Sequence, residues 1–458
     1  MPYYAFCIQD FTLVEQRVVA IFVFASLAWL LEPIAAWVTS TLTIVLLLFT
    51  CSDSCFTFFK INFSHKTDLG TLISHKSLMA SFADPVIMLF IGGFFLAMAG
   101  EKIGLDKVLA RVLFKPFGNK SNHILLGLLV ITGCFSMFLS NTATAAMMIT
   151  MLGPVLKSLD PDDRGRVGLA MAIPIGANIG GMGTPIGTPP NAIAIKFLND
   201  PHGLGFNISF NEWTVCMMPL GIIILIFSWF LLRKLFKFKQ ETIEIKIDGE
   251  FKKDWRSIVT YVTFILTIGL WMTDRLTGVN SNVVAMLPVG VFCATGIITK
   301  EDLCQIEWSV LWMVAGGFAL GTALQSTGLA RHLIENIPFH SWSPLLIMIG
   351  PGIICYGFSN FISNTATAAL LTPILAIVAG SMADSLIPFG GAAPLIVGLA
   401  LSASLAMCLP VSTPPNAIAY STNIIQRSDM IKTGIIIGVV GFVIGYGMLI
   451  LFGRIGII

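Results

Sequence analysis

The sequence predicts an all-α, polytopic membrane protein made of two inverted repeats, each with five transmembrane helices and one re-entrant hairpin. Three observations predict it. First, the 458 residues are 55% hydrophobic and only 11% charged, with mean hydropathy +0.85, whereas a soluble domain carries about 25% charged residues. Second, two polar words occur twice. Ser140-Asn141-Thr142-Ala143-Thr144 returns in the second half as Ser363-Asn364-Thr365-Ala366-Thr367. Thr188-Pro189-Pro190-Asn191-Ala192-Ile193-Ala194 returns at nearly the same offset as Thr413-Pro414-Pro415-Asn416-Ala417-Ile418-Ala419. Third, the basic residues crowd into alternate loops.

The elements follow in chain order. A spanning helix needs about 20 apolar residues. Ten stretches are expected to cross: 17–31, 35–58, 83–100, 168–195, 212–232, 257–273, 282–298, 308–330, 391–420 and 433–453. Two of them, 168–195 and 391–420, are long and interrupted by Gly, Pro and Thr. Between the crossings lie 122–157 and 342–380, each with two apolar arms meeting at a Ser-Asn-Thr word. The leading arms, 123–139 and 344–362, are short for a full span, so both segments read as helical hairpins with the word at the tip. A pair of kinked full spans is the alternative. Five crossings per half is an odd number, which turns the second half upside down relative to the first. The repeats are 1–240 and 241–458.

Loop charge sets the orientation. The loops 101–122, 157–166, 233–256, 299–307 and 421–432 hold 19 of the 27 Lys and Arg, Lys115 and Lys246 among them. This set is expected in the cytoplasm, with Lys196 and Ser385 outside. The first hairpin then opens inside and the second outside. Glu101–Lys120 and Gln325–His340 mix charge with apolar residues at helical spacing, as interfacial amphipathic helices do, although a solvated helix end reads the same way. Segment 233–256 reads as a solvated linker between the halves. The stretch before Glu15 lacks a basic n-region ahead of an apolar core, so no cleavable signal is expected. The net charge of +2 lies in loops and points to no nucleic-acid partner. Nine Cys are scattered without a CxxC pair, and Cys51 and Cys55 read as small apolar filler. The six His lie near span ends or in loops without ligand spacing, which argues against an enzyme.

The words carry the chemistry. A membrane tolerates broken helices only where protein or a cavity satisfies the backbone, and matched breaks in two halves point to the binding site of a secondary transporter. Ser, Asn and Thr are N-cap residues, and each Ser-Asn-Thr word leads into a run of good helix formers. Each word therefore sets the positive end of a helix at mid-membrane, where it suits a carboxylate. Two such ends suit a dicarboxylate. The hydroxyl and carbonyl oxygens also suit Na⁺. Pro in the second words frees carbonyls upstream for cations, and the Gly180–Gly187 run permits close backbone approach. Ser136 and Ser359 precede Ser140 and Ser363 by one helical turn and share their helix face. The stretches 124–156, 167–195, 341–380 and 390–426 carry no Lys or Arg, and Asp384 is the acid near a hairpin end. A dianion there needs cations for compensation, and without an acidic relay the reading favours Na⁺ over H⁺.

With Gly92-Gly93-Phe94 echoed by Gly316-Gly317-Phe318, the paired words resemble the divalent anion/sodium symporters from about residue 15 to the C-terminus. The resemblance is greatest to the bacterial sodium–dicarboxylate carriers. It implies a homodimer in the bacterial inner membrane, with scaffold parts 15–110 and 257–335. Transport parts 121–232 and 342–458 would move as an elevator. It implies one Na⁺ site at Ser136, Ser140, Asn141 and Gly187, and another at Ser359, Ser363, Asn364 and Ser412. Substrate carboxylates would meet Asn141, Thr142, Asn364, Thr365, Thr413 and Pro414. The expected activity is Na⁺-coupled symport of C4-dicarboxylates such as succinate, fumarate and malate, with Na⁺ as coupling ion and no cofactor. An exchanger, or a citrate or sulfate carrier, of the same fold is the alternative; a channel or membrane sensor is the reading from another class. The chain departs from the family in two places. The family usually has one further helix before the first repeat, where here only the short stretch from Met1 to Val14 precedes the first clear span. Trp29-Leu30-Leu31-Glu32-Pro33 only partly matches the family's Trp-x-Thr-Glu pattern.

Overall fold

The computed structural model describes residues 11–61, 68–201, 203–243, 250–329, 332 and 342–458. The described residues are helical in all ten places where a crossing is expected. α1 (Leu13–Leu31) starts at a capping box, in which Thr12 Oγ1 accepts from the Glu15 N–H and the Glu15 carboxylate accepts from the Thr12 N–H. It ends at Glu32 in the left-handed region, φ 45°. α2 (Ala36–Cys51) and α3 (Pro85–Ile103) follow, α3 capped by the Asp84 side chain. Gly104, φ 75°, turns the chain into α4 (Leu105–Phe114). α5 (Ser121–Ser136) and α6 (Asn141–Ser158) are the arms of the first hairpin. α7 (Gly165–Gly181) and α8 (Pro189–Leu198) are the halves of a broken crossing, and α9 (Phe210–Leu235) closes the repeat.

The second half repeats this order. α10 (Trp255–Met272), α11 (Met286–Ala294) and α12 (Trp308–Ser326) stand for α1, α2 and α3. α13 (Pro344–Ser359) and α14 (Asn364–Ser381) form the second hairpin. α15 (Ala393–Leu405) and α16 (Pro414–Tyr420) form the second broken crossing, and α17 (Arg427–Arg454) ends the chain.

Ten crossings do not mean ten continuous spans. Among the described residues, seven helical stretches are long and apolar enough to cross alone. The expected spans at 35–58 and 282–298 are realised by shorter helices, because the chain turns after Cys51 and breaks between Val284 and Met286. The hairpin arms are 16 and 18 residues in each half, or about 24 and 27 Å at 1.5 Å per residue. The trailing arm Asn364–Ser381 alone passes as a span. Arm length therefore does not separate a hairpin from kinked spans. The meeting of both tips at one cavity is what supports the hairpin reading.

Packing is exchanged between the halves. α2 lies on α12 and α3 on α11, so the second helix of each repeat seats the third helix of the other. A methyl on Gly92 would overlap the backbone of Ala285, and one on Gly316 would overlap Ser40. Small residues of this kind let helix backbones close where water supplies no driving force. α5 lies on α7 and α13 on α15, while α6 carries α16 and α14 carries α8. Each trailing hairpin arm thus supports the other repeat's broken helix. Ile258, Val262 and Ile265 on α10 and Ile435, Val439 and Val443 on α17 are exposed, as a lipid-facing surface requires.

α4 buries Leu105 and Val108 and exposes Val112 and Leu113, so an amphipathic helix stands where Glu101–Lys120 predicts one. Most of Gln325–His340 lies outside the described residues, as do residues 1–10 and Lys246. The linker is less detached than expected: Ser121 Oγ donates to the Gln240 carbonyl at 2.6 Å, and the Ile243 N–H donates to the Asn119 carbonyl at 2.8 Å.

Candidate functional site

All four words meet at one cavity of about 520 Å³. Its wall includes Ser140, Asn141, Thr142 and Gly187 from the first half and Ser363, Asn364, Thr365, Ser412, Thr413 and Pro414 from the second. Ser136 and Ser359 lie wholly buried behind it. Each Ser-Asn-Thr word starts a helix, as N-cap chemistry requires. Ser140 Oγ accepts from the Ala143 N–H at 3.2 Å, whereas the Ser363 side chain makes no capping bond. Thr413 Oγ1 accepts from the Asn416 N–H at 3.3 Å.

Oxygens gather round Asn141. One end of its side-chain amide lies 2.5 Å from Ser136 Oγ, 3.1 Å from the Gly187 carbonyl and 3.2 Å from the Ala177 carbonyl. Ser136 Oγ itself donates to Ala177 O at 2.8 Å. With its nitrogen on that side the amide donates to all three oxygens. With its oxygen there it completes an all-oxygen group of the kind a hard cation takes. Three of the four residues expected for the first Na⁺ site are thus brought together, and the Ala177 carbonyl joins them. The fourth, Ser140, turns away: its hydroxyl donates to Glu307 Oε1 at 3.0 Å.

The second half is not a copy. Asn364 Oδ1 is buried and makes no hydrogen bond, and an orphaned buried oxygen is what a cation satisfies. Ser412 is engaged locally, accepting from the Leu409 N–H at 3.0 Å and donating to the Asn360 carbonyl at 2.8 Å. Ser359 Oγ lies 3.9 Å from Cys355 Sγ. Of the carbonyls that the prolines free, that of Gly181, four residues before Pro185, is taken from within, and the loops before both Pro-Pro words close on themselves. Asn191 Nδ2 donates to Gly181 O at 2.9 Å and Thr184 O at 2.8 Å. Asn416 Nδ2 donates to Met407 O at 2.8 Å and Leu409 O at 2.9 Å. The asparagine that closes each Pro-Pro word staples the loop before it, because buried carbonyls need a donor.

Three side chains at the site escape the sequence reading. Glu32 and Glu307 line the cavity. Asn178 Nδ2 donates across the repeats to Thr413 Oγ1 at 3.1 Å and Asn416 Oδ1 at 3.2 Å. One sequence signal does exist for Glu307: it heads α12 as Asp84 heads α3. Among the described residues no Lys, Arg or His lines the cavity; besides Thr188 and Ser309, the rest of its wall is apolar, with Phe90, Phe94, Phe138 and Phe361. A second cavity of about 670 Å³ shares Phe138 and Leu139 with the first and runs along α3, α4, α6 and α10. The first hairpin tip therefore stands between the two spaces.

Comparisons with known proteins bear on this arrangement. Residues 26–392 match the family model described as citrate transporter. The chain is 30% identical to the sodium-dependent dicarboxylate transporter SdcS of Staphylococcus aureus, over 95% of this chain and 85% of that protein. It is 33% identical to an uncharacterized transporter of Haemophilus influenzae, over 81% of this chain and 82% of the relative. Among solved structures it resembles the YdaH transporter of Alcanivorax borkumensis, with TM-score 0.58 and 11% identity over 96% of this chain and 99% of that one. It also resembles MtrF of Neisseria gonorrhoeae, with TM-score 0.52 and 12% identity over 94% and 97%. At those identities the structural likeness speaks for the fold alone: an all-helical, multi-pass membrane fold.

Proposed function

The chain belongs to the divalent anion/sodium symporter family, which the citrate-transporter match and the dicarboxylate-transporter relative both indicate, and we propose that it carries C4-dicarboxylates across the membrane by coupling them to Na⁺. The observation that carries this reading is the convergence on one cavity of two helix N-termini and the Asn141 amide with the oxygens of Ser136, Ala177 and Gly187 around it. The N-terminal N–H groups of α6 and α14 face the cavity from opposite repeats, and each suits one carboxylate. Asn141 and Asn364 supply the nearest amides, with Thr142, Thr365, Thr413 and Pro414 beside them. Na⁺ would be held at Ser136, Asn141, Gly187 and the Ala177 carbonyl, and at Asn364 in the second half. There it supplies the positive charge that the cavity's own side chains lack. Transport then follows the elevator scheme: α5–α9 and α13–α17 carry the site past a scaffold of α1–α3 and α10–α12 within a homodimer in the bacterial inner membrane.

The test is uptake of radiolabelled succinate by proteoliposomes with an imposed Na⁺ gradient, with choline replacing Na⁺ outside as control. Uptake that ignores Na⁺ and follows a pH gradient overturns the coupling. The citrate-transporter match supports a second reading, a tricarboxylate carrier, because a cavity of about 520 Å³ admits either molecule. Citrate that outcompetes succinate in the same vesicles selects it.

A further inference from the structure

We propose that the second cavity, between the first hairpin and the turn from α3 into α4, binds one acyl chain of a phosphatidylethanolamine, whose headgroup is held by Asp106 and Lys107. The inference rests on that cavity and its mouth, and it stands apart from the Na⁺–dicarboxylate reading.

The wall suits hydrocarbon. α6 turns Ala143, Ala146, Met147, Thr150 and Met151 to the space, at the three- and four-residue spacing of one helix face. The hydroxyl in that stripe is satisfied within its own helix, because Thr150 Oγ1 donates to the Ala146 carbonyl at 2.8 Å. The stripe is about 12 Å long at 1.5 Å per residue. Leu96 and Ala97 of α3 and Phe264 and Ile268 of α10 line the other sides. Ile268 lies three residues from Ile265, which is exposed, so the cavity borders the lipid-facing stripe of α10. A buried water needs two to four polar partners, and this wall offers few. Its volume of about 670 Å³ is open to acyl chains from the bilayer beside it.

One end of the cavity is charged. Glu101, Asp106 and Lys107 stand where α3 turns into α4, and among the described residues the rest of the wall carries no charged side chain. Asp106 Oδ1 is buried there and makes no hydrogen bond among the described residues. Burial pushes the Asp106 carboxyl above the usual carboxylate range. A carboxylate oxygen in that position is stabilised by a cationic donor. Lys107, next in the chain, is exposed and suits an anion. Opposite charges side by side match a zwitterionic headgroup, with its ammonium on Asp106 and its phosphate on Lys107. An ethanolamine ammonium has three N–H donors, as a lysine ammonium does. A choline ammonium has no N–H and leaves Oδ1 unsatisfied. A glycerol headgroup brings no positive charge to the two acids.

The experiment uses the purified full-length protein in phosphatidylcholine nanodiscs with a trace of phosphatidylethanolamine that carries a diazirine in its acyl chain. After irradiation the labelled peptides are mapped by mass spectrometry. Labelling is expected to concentrate around Leu96, Met147 and Ile268, above its level on the open lipid face around Ile435 and Val439 of α17. A phosphatidylcholine with the same diazirine should show no such concentration. Unlabelled phosphatidylethanolamine should displace the probe from the cavity, and phosphatidylglycerol should not. Ala146 is exposed to the cavity, so Ala146→Phe fills the space without entering the core. It should abolish labelling in the cavity and leave that on α17 unchanged. Ala146→Leu is the smaller second variant and should cut labelling in the same direction. Asp106→Asn should raise the phosphatidylethanolamine needed for displacement by about fivefold, the worth of a partly screened ion pair, and Asp106→Glu should restore it. Labelling in the cavity that does not exceed that on α17, or that both Ala146 variants leave unmoved, overturns the proposal. So does a phosphatidylcholine probe that labels the cavity equally, or displacement by phosphatidylglycerol as effective as by phosphatidylethanolamine.

Discussion

Asn141 offers the sharpest test of the oxygen cluster. Its amide end lies 2.5, 3.1 and 3.2 Å from Ser136 Oγ, Gly187 O and Ala177 O. Without a cation those oxygens need a donor, and the amide nitrogen supplies it. With a cation the amide turns and presents oxygen. Asn141→Ala removes both functions. One hydrogen-bond-strength contact to a charged group is worth about 1.5–3 kcal/mol, so Na⁺ affinity is expected to fall about 10- to 150-fold, and succinate affinity with it. Asn141→Asp is different. It has no N–H to hold the cluster, so in choline it loses stability through repulsion among oxygens. In Na⁺ it regains stability by more than wild type does, because a carboxylate is the stronger cation ligand. The assay is thermal unfolding of purified protein across a NaCl titration at constant ionic strength. If Asn141→Asp gains nothing from Na⁺, or if Asn141→Ala keeps the wild-type Na⁺ midpoint, the cluster is a hairpin-tip hydrogen-bond network and no cation site.

Packing and topology set further outcomes. Gly92→Ala and Gly316→Ala put methyls into the Ala285 backbone and Ser40 respectively, and overpacking of this kind costs about 1–3 kcal/mol. Both variants are expected to unfold at lower temperature by similar amounts, and a wild-type melting temperature in either refutes the paired seams α3–α11 and α2–α12. Asn416→Ala strips the side-chain donor from Met407 O, while Leu409 O keeps the Ser412 N–H, leaving one buried carbonyl at about 1–3 kcal/mol. Its loss of succinate binding should therefore come with a lower melting temperature; retained binding with an unchanged melting temperature refutes the staple. For orientation, an impermeant thiol reagent should label Lys115→Cys from the cytoplasm and Ser385→Cys from outside, in a background without the nine native Cys. Labelling of both from one side sinks the inverted repeat.

The words repeated in the sequence are the legible part of the site. They name twelve of the residues that line one cavity, and they place the helix starts at Asn141 and Asn364. They do so because a break in an apolar helix needs satisfied backbone, and a residue string that recurs at both breaks is hard to obtain by chance. What stays hidden is whatever the repeat does not share. Asn178 has no partner at the matching place in the second half, where Ala403 stands, so nothing sets it apart from the Gly-rich run around it. Glu32 and Glu307 sit at span ends, where a charged residue is ordinary, and only the fold turns them toward the cavity. The role of Asn191 and Asn416 is hidden for a simpler reason. The carbonyls they satisfy lie in the loops just before their own words, and sequence alone does not tell an amide that faces substrate from one that faces its own loop.

The unshared residues matter because two symmetrical half-sites would have no reason to act together. Here the halves are tied unequally. α6 carries α16 and α14 carries α8, so neither hairpin tip moves without the other repeat's broken helix. Asn178 then joins the first repeat to Thr413 and Asn416, and Asn416 holds the loop that begins at Met407. These buried hydrogen bonds fix the second word against α7 of the first repeat, and a buried polar network of this kind is held together because a half-satisfied member is costly. The second tip differs in that Asn364 Oδ1 is buried with no hydrogen-bond partner. The first cluster can satisfy itself by turning one amide, while the second has an oxygen that only an added partner satisfies. On the proposed function, a cation at the second tip would meet an unsatisfied oxygen at Asn364, whereas one at the first tip would have to displace the amide nitrogen of Asn141.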